Sequence, residues 1–164
     1  MILRRYSSPV GSIILMVAGG KLVYCNWEDK ECEDKFTCLK RRFEKVKGAS
    51  DKRIITSAKK QLDEYFKGER KAFNLPISFN DTLFRMQIWE NLKGIPYGKT
   101  ITYKELASTS GNAKAVRAAA NACGANPLAI IIPCHRIVGS NGNGGYTGGN
   151  DKKIFLLNLE SLER

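Results

Sequence analysis

Two apolar runs near the start of the chain, Ile13-Ile14-Leu15-Met16-Val17 and Leu22-Val23-Tyr24-Cys25-Asn26-Trp27, are separated by Ala18-Gly19-Gly20-Lys21. Paired glycines between β-prone runs predict a tight hairpin. The period then lengthens to that of a helix, with Cys32, Phe36, Leu39 and Phe43 spaced four, three and four apart. A second helical pattern places Ile54, Ala58, Leu62 and Tyr65 or Phe66 on one face, with Gly68 as its stop signal. From Gly68 to Asp81 the chain is mixed and contains Pro76, which reads as a connection between lobes. The lobes are placed at residues 1–75 and 80–164.

The second lobe opens on a helix carrying Phe84, Ile88 and Leu92, followed by the turn Gly94-Ile95-Pro96-Tyr97-Gly98. Thr102-Tyr103-Lys104-Glu105 matches a capping box, in which threonine and glutamate reciprocally bond the first free amides of a helix. That helix stops near Gly111, and a second one is predicted over Ala113–Cys123. Two short helices joined by a tight glycine-containing turn suggest a helix-turn-helix. The second helix is nearly all alanine, so it either packs tightly on the core or brings its backbone close to another surface. Alanines cannot hydrogen-bond base edges in a major groove, so contact with DNA would be by shape, in the minor groove. Arg117 is the long cation in its middle. Leu128 to Ile132 is a continuous apolar run and is expected to be buried; Pro133 ends it. A glycine-rich stretch runs from Gly139 to Gly149, and a last helix spans about Asp151 to Leu162. The fold class that follows is α+β, a small β-sheet lobe and then a mostly helical one.

Charge adds a partner class to this picture. Lys and Arg outnumber Asp and Glu by 27 to 16, a formal net charge of +11. Such an excess suits a polyanion, because neutralising phosphates releases counterions; solubility alone is the plainer alternative. No stretch approaches the roughly 20 apolar residues needed to cross a bilayer, and the N-terminus lacks the order of a signal peptide. A cytoplasmic protein without membrane contact is expected. The five cysteines are odd in number and irregularly spaced, which points to free thiols in a reducing compartment.

Among those thiols Cys134 stands apart. Cys25 and Cys32 fall on apolar faces and read as small buried hydrophobes, and Cys38 lies on another helix face than Cys32. None of the four cysteines other than Cys134 shows a chemical role. Cys134 follows the buried run directly and precedes the single histidine, His135, and then Arg136. Proton-accepting or cationic neighbours favour the thiolate, which is the reactive form. One histidine and no close cysteine pair leave no donor set for a structural zinc, so no metal site is expected. The sequence lacks the cysteine-protease signatures, the Cys-x-x-Cys redox pair, and the second cysteine and His-x-Glu of zinc deaminases.

The run Pro133-Cys134-His135-Arg136-Ile137 resembles the signature of the O6-alkylguanine-DNA alkyltransferases, also called methylated-DNA–protein-cysteine methyltransferases. Ile95 to Thr100, Thr102 to Ala107, Arg117-Ala118, Asn126-Pro127, Tyr146 to Gly149 and Leu156 to Glu160 agree in order and spacing. Ser8 to Gly11 and Leu62 to Glu69 resemble the family's N-terminal domain, a ribonuclease H-like sheet. The resemblance implies repair of double-stranded DNA containing O6-methylguanine, with O4-methylthymine as a further candidate. The damaged base would be flipped from the minor-groove side and its alkyl group moved to Cys134, once per molecule, by a monomer without a cofactor. His135 would take the thiol proton through a water, held by Glu160, and Tyr103 would protonate the guanine at N3. Arg117 would fill the vacated stack, with Val116, Ala118 and Ala120 against DNA. Asn126 would tie the helix-turn-helix to the active-site segment, and Ile137, Tyr146, Thr147 and Gly148 would line the base pocket.

The chain departs from the family pattern in three places. Ala119 and Ala120 replace the usual valine and glycine, the loop before Tyr146 is about one residue short, and Arg85 stands where glutamine is common. The competing class is a lesion-binding protein without chemistry; alkyltransferase-like proteins of that kind usually carry tryptophan in place of the cysteine.

Overall fold

The computed structural model describes residues 1–28, 37, 41, 43, 48 and 50–161. They divide into two compact units, Met1–Ser78 and Phe79–Arg164. The helical pattern on Cys32, Phe36 and Leu39, and Cys38 with it, lies outside the described residues. Among the described residues no helix is long and apolar enough to cross a membrane.

The first unit holds an antiparallel meander, β1 (Ile2–Ser8), β2 (Gly11–Ala18) and β3 (Lys21–Trp27), in that spatial order. The predicted hairpin is the β2–β3 pair, turning through Gly19 and Gly20. Strand β2 is buried along Ile13–Ala18, so both faces of the sheet are covered. Ile14, Met16, Ala18, Val23 and Tyr24 form a cluster on one side with partly buried Phe43. Helix α1 (Asp51–Phe66) packs on the sheet through Ile54, Ala58, Leu62 and Tyr65, the face that the periodicity predicts. Asp51 fastens its start to the hairpin by accepting from the Gly20 amide at 2.6 Å.

Strand β1 escaped the sequence reading because it is an edge strand with Arg4 and Arg5 in its middle. Exposed charge on an edge protects against further pairing and blurs the alternation that marks a strand. The segment read as a connection also does more than connect. The Leu22 amide donates to the Pro76 carbonyl at 2.8 Å and the Ser78 amide to the Leu22 carbonyl at 3.0 Å, so Ile77 extends the sheet beyond β3.

The second unit contains α2 (Leu83–Lys93), β4 (Ile101–Thr102), α3 (Tyr103–Thr109), α4 (Val116–Gly124), a 3-10 turn (Cys134–Arg136), β5 (Ile137–Val138) and α5 (Asn150–Ser161). The capping box is formed: Thr102 Oγ1 accepts from the Glu105 amide at 3.2 Å, and Glu105 accepts from the Thr102 amide at 2.6 Å. Helix α4 starts at Val116 rather than at Ala113. Asn112 intercepts the first turn, its side chain accepting from the Lys114 amide at 3.1 Å and its carbonyl from the Ala115 amide at 2.9 Å. Ala119 and Ala122 face the core, and Trp89 of α2 donates its indole N–H to the Ala122 carbonyl at 2.8 Å. The small residues of α4 therefore serve close helix packing on one side. Arg117 and Ala118 stay exposed on the other.

The apolar run at Leu128 is buried, but it is not a strand. The Ile132 amide bonds the Leu128 carbonyl at 2.7 Å, closing a turn in which Ile130 has φ 71°. A β-branched residue is disfavoured there, and burial of Ile130 among apolar neighbours holds it in place.

Candidate active site

The acceptor segment is fixed from both ends. Behind Cys134, β5 pairs in parallel with β4, Ile101 opposite Ile137, and so anchors the 3-10 turn to the start of α3. In front of it, Asn126 follows directly on α4 and closes the Leu128 turn. Its Oδ1 accepts from the Leu128 amide at 2.9 Å, and its Nδ2 donates to the Ile132 carbonyl at 2.8 Å. The same Nδ2 lies 3.1 Å from Cys134 Sγ, within reach of an N–H···S bond. Burial pushes the Cys134 thiol up from its ordinary pKa. The Asn126 bond, the positive charge of Lys153 and the Cys134 and His135 amides work in the opposite direction.

Beneath the turn lies a buried polar network centred on Glu160 of α5. His135 Nε2 is 2.8 Å from Glu160 Oε1, and Arg136 donates to both carboxylate oxygens at 2.9 Å. The Gly98 amide donates to Oε2 at 3.1 Å, and a further Arg136 nitrogen donates to the Ile95 carbonyl at 2.6 Å. Glycine is required at 98: its φ is +70°, and a Cβ there would meet the Glu160 carbonyl oxygen at 2.8 Å. Burial opposes ionisation of Glu160, but the bonds from His135 and Arg136 outweigh it and hold the carboxyl at about 2. A carboxylate can only accept, so His135 carries its proton on Nε2. Nδ1 is then the basic nitrogen; it is buried and bonds to no described group. Burial keeps the pKa of His135 below its ordinary value, so the ring is neutral and can take a proton.

Cys134 opens onto a cavity of about 450 Å³, within the range of small-molecule sites. Tyr103, Ala120, Asn121, Cys123, Gly124, Gly145, Tyr146 and Thr147 complete its wall. Tyr103 OH donates to the Gly145 carbonyl at 3.2 Å, and Thr147 Oγ1 to the Gly124 carbonyl at 2.9 Å, so the glycine-rich loop is tied to α3 and α4. At Gly144, φ is +68° and a Cβ would lie 2.8 Å from the Tyr103 ring; only glycine lets the loop approach that ring.

The structure thus gathers Cys134, Tyr103, Ala120, Tyr146 and Thr147 around one cavity, with Asn126, His135 and Glu160 behind it. Ile137 is fully buried outside the wall, and its carbonyl is taken by Lys153 at 2.6 Å. Gly148 sits in the turn that the Gly149 amide closes on the Tyr146 carbonyl at 3.0 Å. Val116, Arg117 and Ala118 begin α4 away from the cavity wall. Ala119, one of the two alanines departing from the family pattern, points into the core, whereas Ala120 borders the cavity. Arg85 pairs with Asp81 at 3.1 Å.

Sequence reasoning missed three residues here. Cys123 lines the cavity beside Cys134, although the reading gave it no role; α4 rotates it inward one turn after Ala119. Its thiol, pushed up to about 12 chiefly by burial, stays protonated. Arg136 reads as a cation favouring the thiolate, but it is committed to Glu160 and to the Ile95 carbonyl. Lys153 looks like an ordinary helical lysine in sequence and is fully buried.

A buried thiol at the wall of a half-open cavity and a neutral histidine polarised by a carboxylate, with two short packed helices alongside, define a cysteine-centred site. Residues 1–79 match the family profile of the 6-O-methylguanine DNA methyltransferase ribonuclease-like domain, and residues 83–162 match that of the DNA binding domain of the same enzymes. The chain is 40% identical to the methylated-DNA–protein-cysteine methyltransferase of Methanosarcina acetivorans, over 94% of this chain and 95% of that one. It is 37% identical to the Haemophilus influenzae enzyme, over 96% and 84% respectively. The crystal structure of Mycobacterium tuberculosis O6-methylguanine methyltransferase superposes with a TM-score of 0.84 at 34% identity, covering 99% of this chain and 93% of that one. A structure of the mycobacterial protein in complex with DNA gives 0.80 at 32%, covering 97% and 92%. The chain belongs to the methylated-DNA–protein-cysteine methyltransferases.

Proposed function

We propose that this protein repairs O6-methylguanine in double-stranded DNA by moving the methyl group to Sγ of its own Cys134. The observation that carries the reading is the Cys134 thiol opening onto the cavity, backed by the His135–Glu160 pair. DNA binding and methyl acceptance are assigned to the second unit. The base is flipped from the minor groove into the cavity, and Arg117, exposed at the start of α4, fills the gap it leaves. Val116, Ala118 and Ala120 approach the DNA, and Tyr146, Thr147 and Gly148 border the base.

His135 Nδ1 receives the thiol proton through one water, and Glu160 holds the ring in the required tautomer. The thiolate attacks the methyl carbon, an S–C bond forms and the C–O6 bond breaks, leaving its electron pair on guanine. Tyr103, within the cavity wall, supplies a proton at N3. The product thioether is not hydrolysed, so each molecule acts once and needs no cofactor. O4-methylthymine presents the same O-methyl electrophile and is the second candidate substrate. A reaction that consumes a free thiol suits a reducing cytoplasm, and one chain carries every group named, which suits a monomer.

The test is incubation with a duplex containing O6-methylguanine, followed by intact mass and peptide mapping. A gain of one methylene on Cys134, abolished in Cys134→Ser, is expected. Tight binding without a mass change would replace this reading with lesion recognition alone.

A further inference from the structure

Lys153 is the group in the second unit that the proposed chemistry does not use and burial does not explain. It lies on α5, its side chain fully buried. Its ammonium donates to the Ile137 carbonyl at 2.6 Å and to the Gly145 carbonyl at 3.2 Å. Among the described residues no carboxylate lies within ion-pair distance of it. The ammonium also lies 6.0 Å from the centroid of the Tyr103 ring, yet a cation buried against neutral groups is costly, and a packed methionine would fill the same space. The two carbonyls belong to the segment just after Cys134 and to the cavity wall. Gly145 also accepts from Tyr103, so Lys153 and Tyr103 meet on one oxygen.

We propose that Lys153 is a positioning residue whose buried charge favours the Cys134 thiolate while its hydrogen bonds hold the acceptor segment and the cavity wall together. The inference rests on the alkyl-transfer reading of the same cavity. Other ionisable groups face the thiol, and none replaces that charge. Cys123 of α4 and Tyr103 of α3 are neutral, His135 is neutral, and the Arg136 charge is balanced by Glu160. Burial lowers the Lys153 pKa, and ionisation of Cys134 raises it; the coupling runs both ways. When a base enters and Tyr103 turns towards it, Lys153 also keeps the Gly145 carbonyl satisfied.

The full-length wild type is compared with Lys153→Gln, which can donate but carries no charge, and with Lys153→Arg, which keeps the charge. Lys153→Met is the second charge-free form, chosen to fold by filling the same space. Two rates are followed across pH, transfer from an O6-methylguanine duplex and alkylation of Cys134 by iodoacetamide, which needs thiolate but no DNA. Both charge-free variants are expected to react at least tenfold more slowly at neutral pH, with the thiolate midpoint moved upward and the deficit closing in alkali. Lys153→Arg should keep the wild-type midpoint. Equal midpoints in all four proteins would overturn the inference, as would a slower transfer without a midpoint shift. A midpoint that moves with Lys153 in a wild-type protein acquiring no methyl would uphold the inference and refute the repair reading.

Discussion

Glu160 shows how much one buried side chain can carry. It accepts from His135 and Arg136 of the 3-10 turn and from the Gly98 amide, so one carboxylate ties two segments to α5. Replacing it by glutamine leaves Arg136 uncompensated, and breaking a buried ion pair in this way costs about 3–5 kcal/mol. Glu160→Gln should therefore lower the denaturation midpoint strongly and abolish transfer, checked by urea unfolding beside the mass assay. The acid limit follows from the same group. Its folded pKa of about 2 lies below the ordinary 4.5, so its stabilisation is complete above pH 4.5 and is lost as the pH falls through about 2. That shift is worth on the order of 3 kcal/mol. His135, held below 6.5 by burial, acts in the same sense, because its protonation favours the unfolded chain as the pH falls below 6.5. Urea midpoints measured against pH should fall across this window, and Glu160→Gln should flatten the lower part; a flat wild-type profile would contradict the network.

At the scale of elements, α3 and α4 divide the labour. Helix α3 is fixed by its capping box and brings Tyr103 to the cavity; α4 uses Ala119 and Ala122 to pack and leaves Arg117 outside. Thr102→Ala removes one half of the capping box and should cost about 1 kcal/mol of stability, read by chemical denaturation, with transfer otherwise preserved. Arg117→Ala should leave folding and the reaction of iodoacetamide with Cys134 unchanged, while transfer from duplex DNA slows by at least tenfold. A short single-stranded substrate, which has no partner stack to fill, should show less of that loss. Equal losses on both substrates would remove Arg117 from the flipping step. The element boundaries were legible where a local device sets them, as at the capping box and Gly68. They were not legible at α4, where Asn112 delays the helix, or at β1, where edge charges hide the strand.

For the whole molecule, the formal net charge of +11 predicts binding to duplex DNA that weakens steeply as salt rises, with a roughly linear fall of log affinity against log salt. Undamaged duplexes of different sequence should bind nearly alike, because Arg117 and Asn121 are the only exposed α4 side chains able to read a base edge and the minor groove offers a degenerate pattern. Titrations at several salt concentrations test this, and a flat dependence would deny the phosphates their part.

By itself the sequence determined the α+β class, the hairpin, the faces of the helices and the run that holds Cys134. Each of those depends on local periodicity, capping or a motif of neighbouring residues. Only the tertiary structure decided which side chains meet that thiol. Asn126 reaches its sulfur from the turn after α4, Cys123 shares its cavity from α4, and Lys153 of α5 holds the Ile137 and Gly145 carbonyls beside it, across separations that no period spans. Arg136 sits beside Cys134 in sequence but spends its charge on Glu160. The local environment of Cys134 is set by burial, and burial is a property of the packed chain.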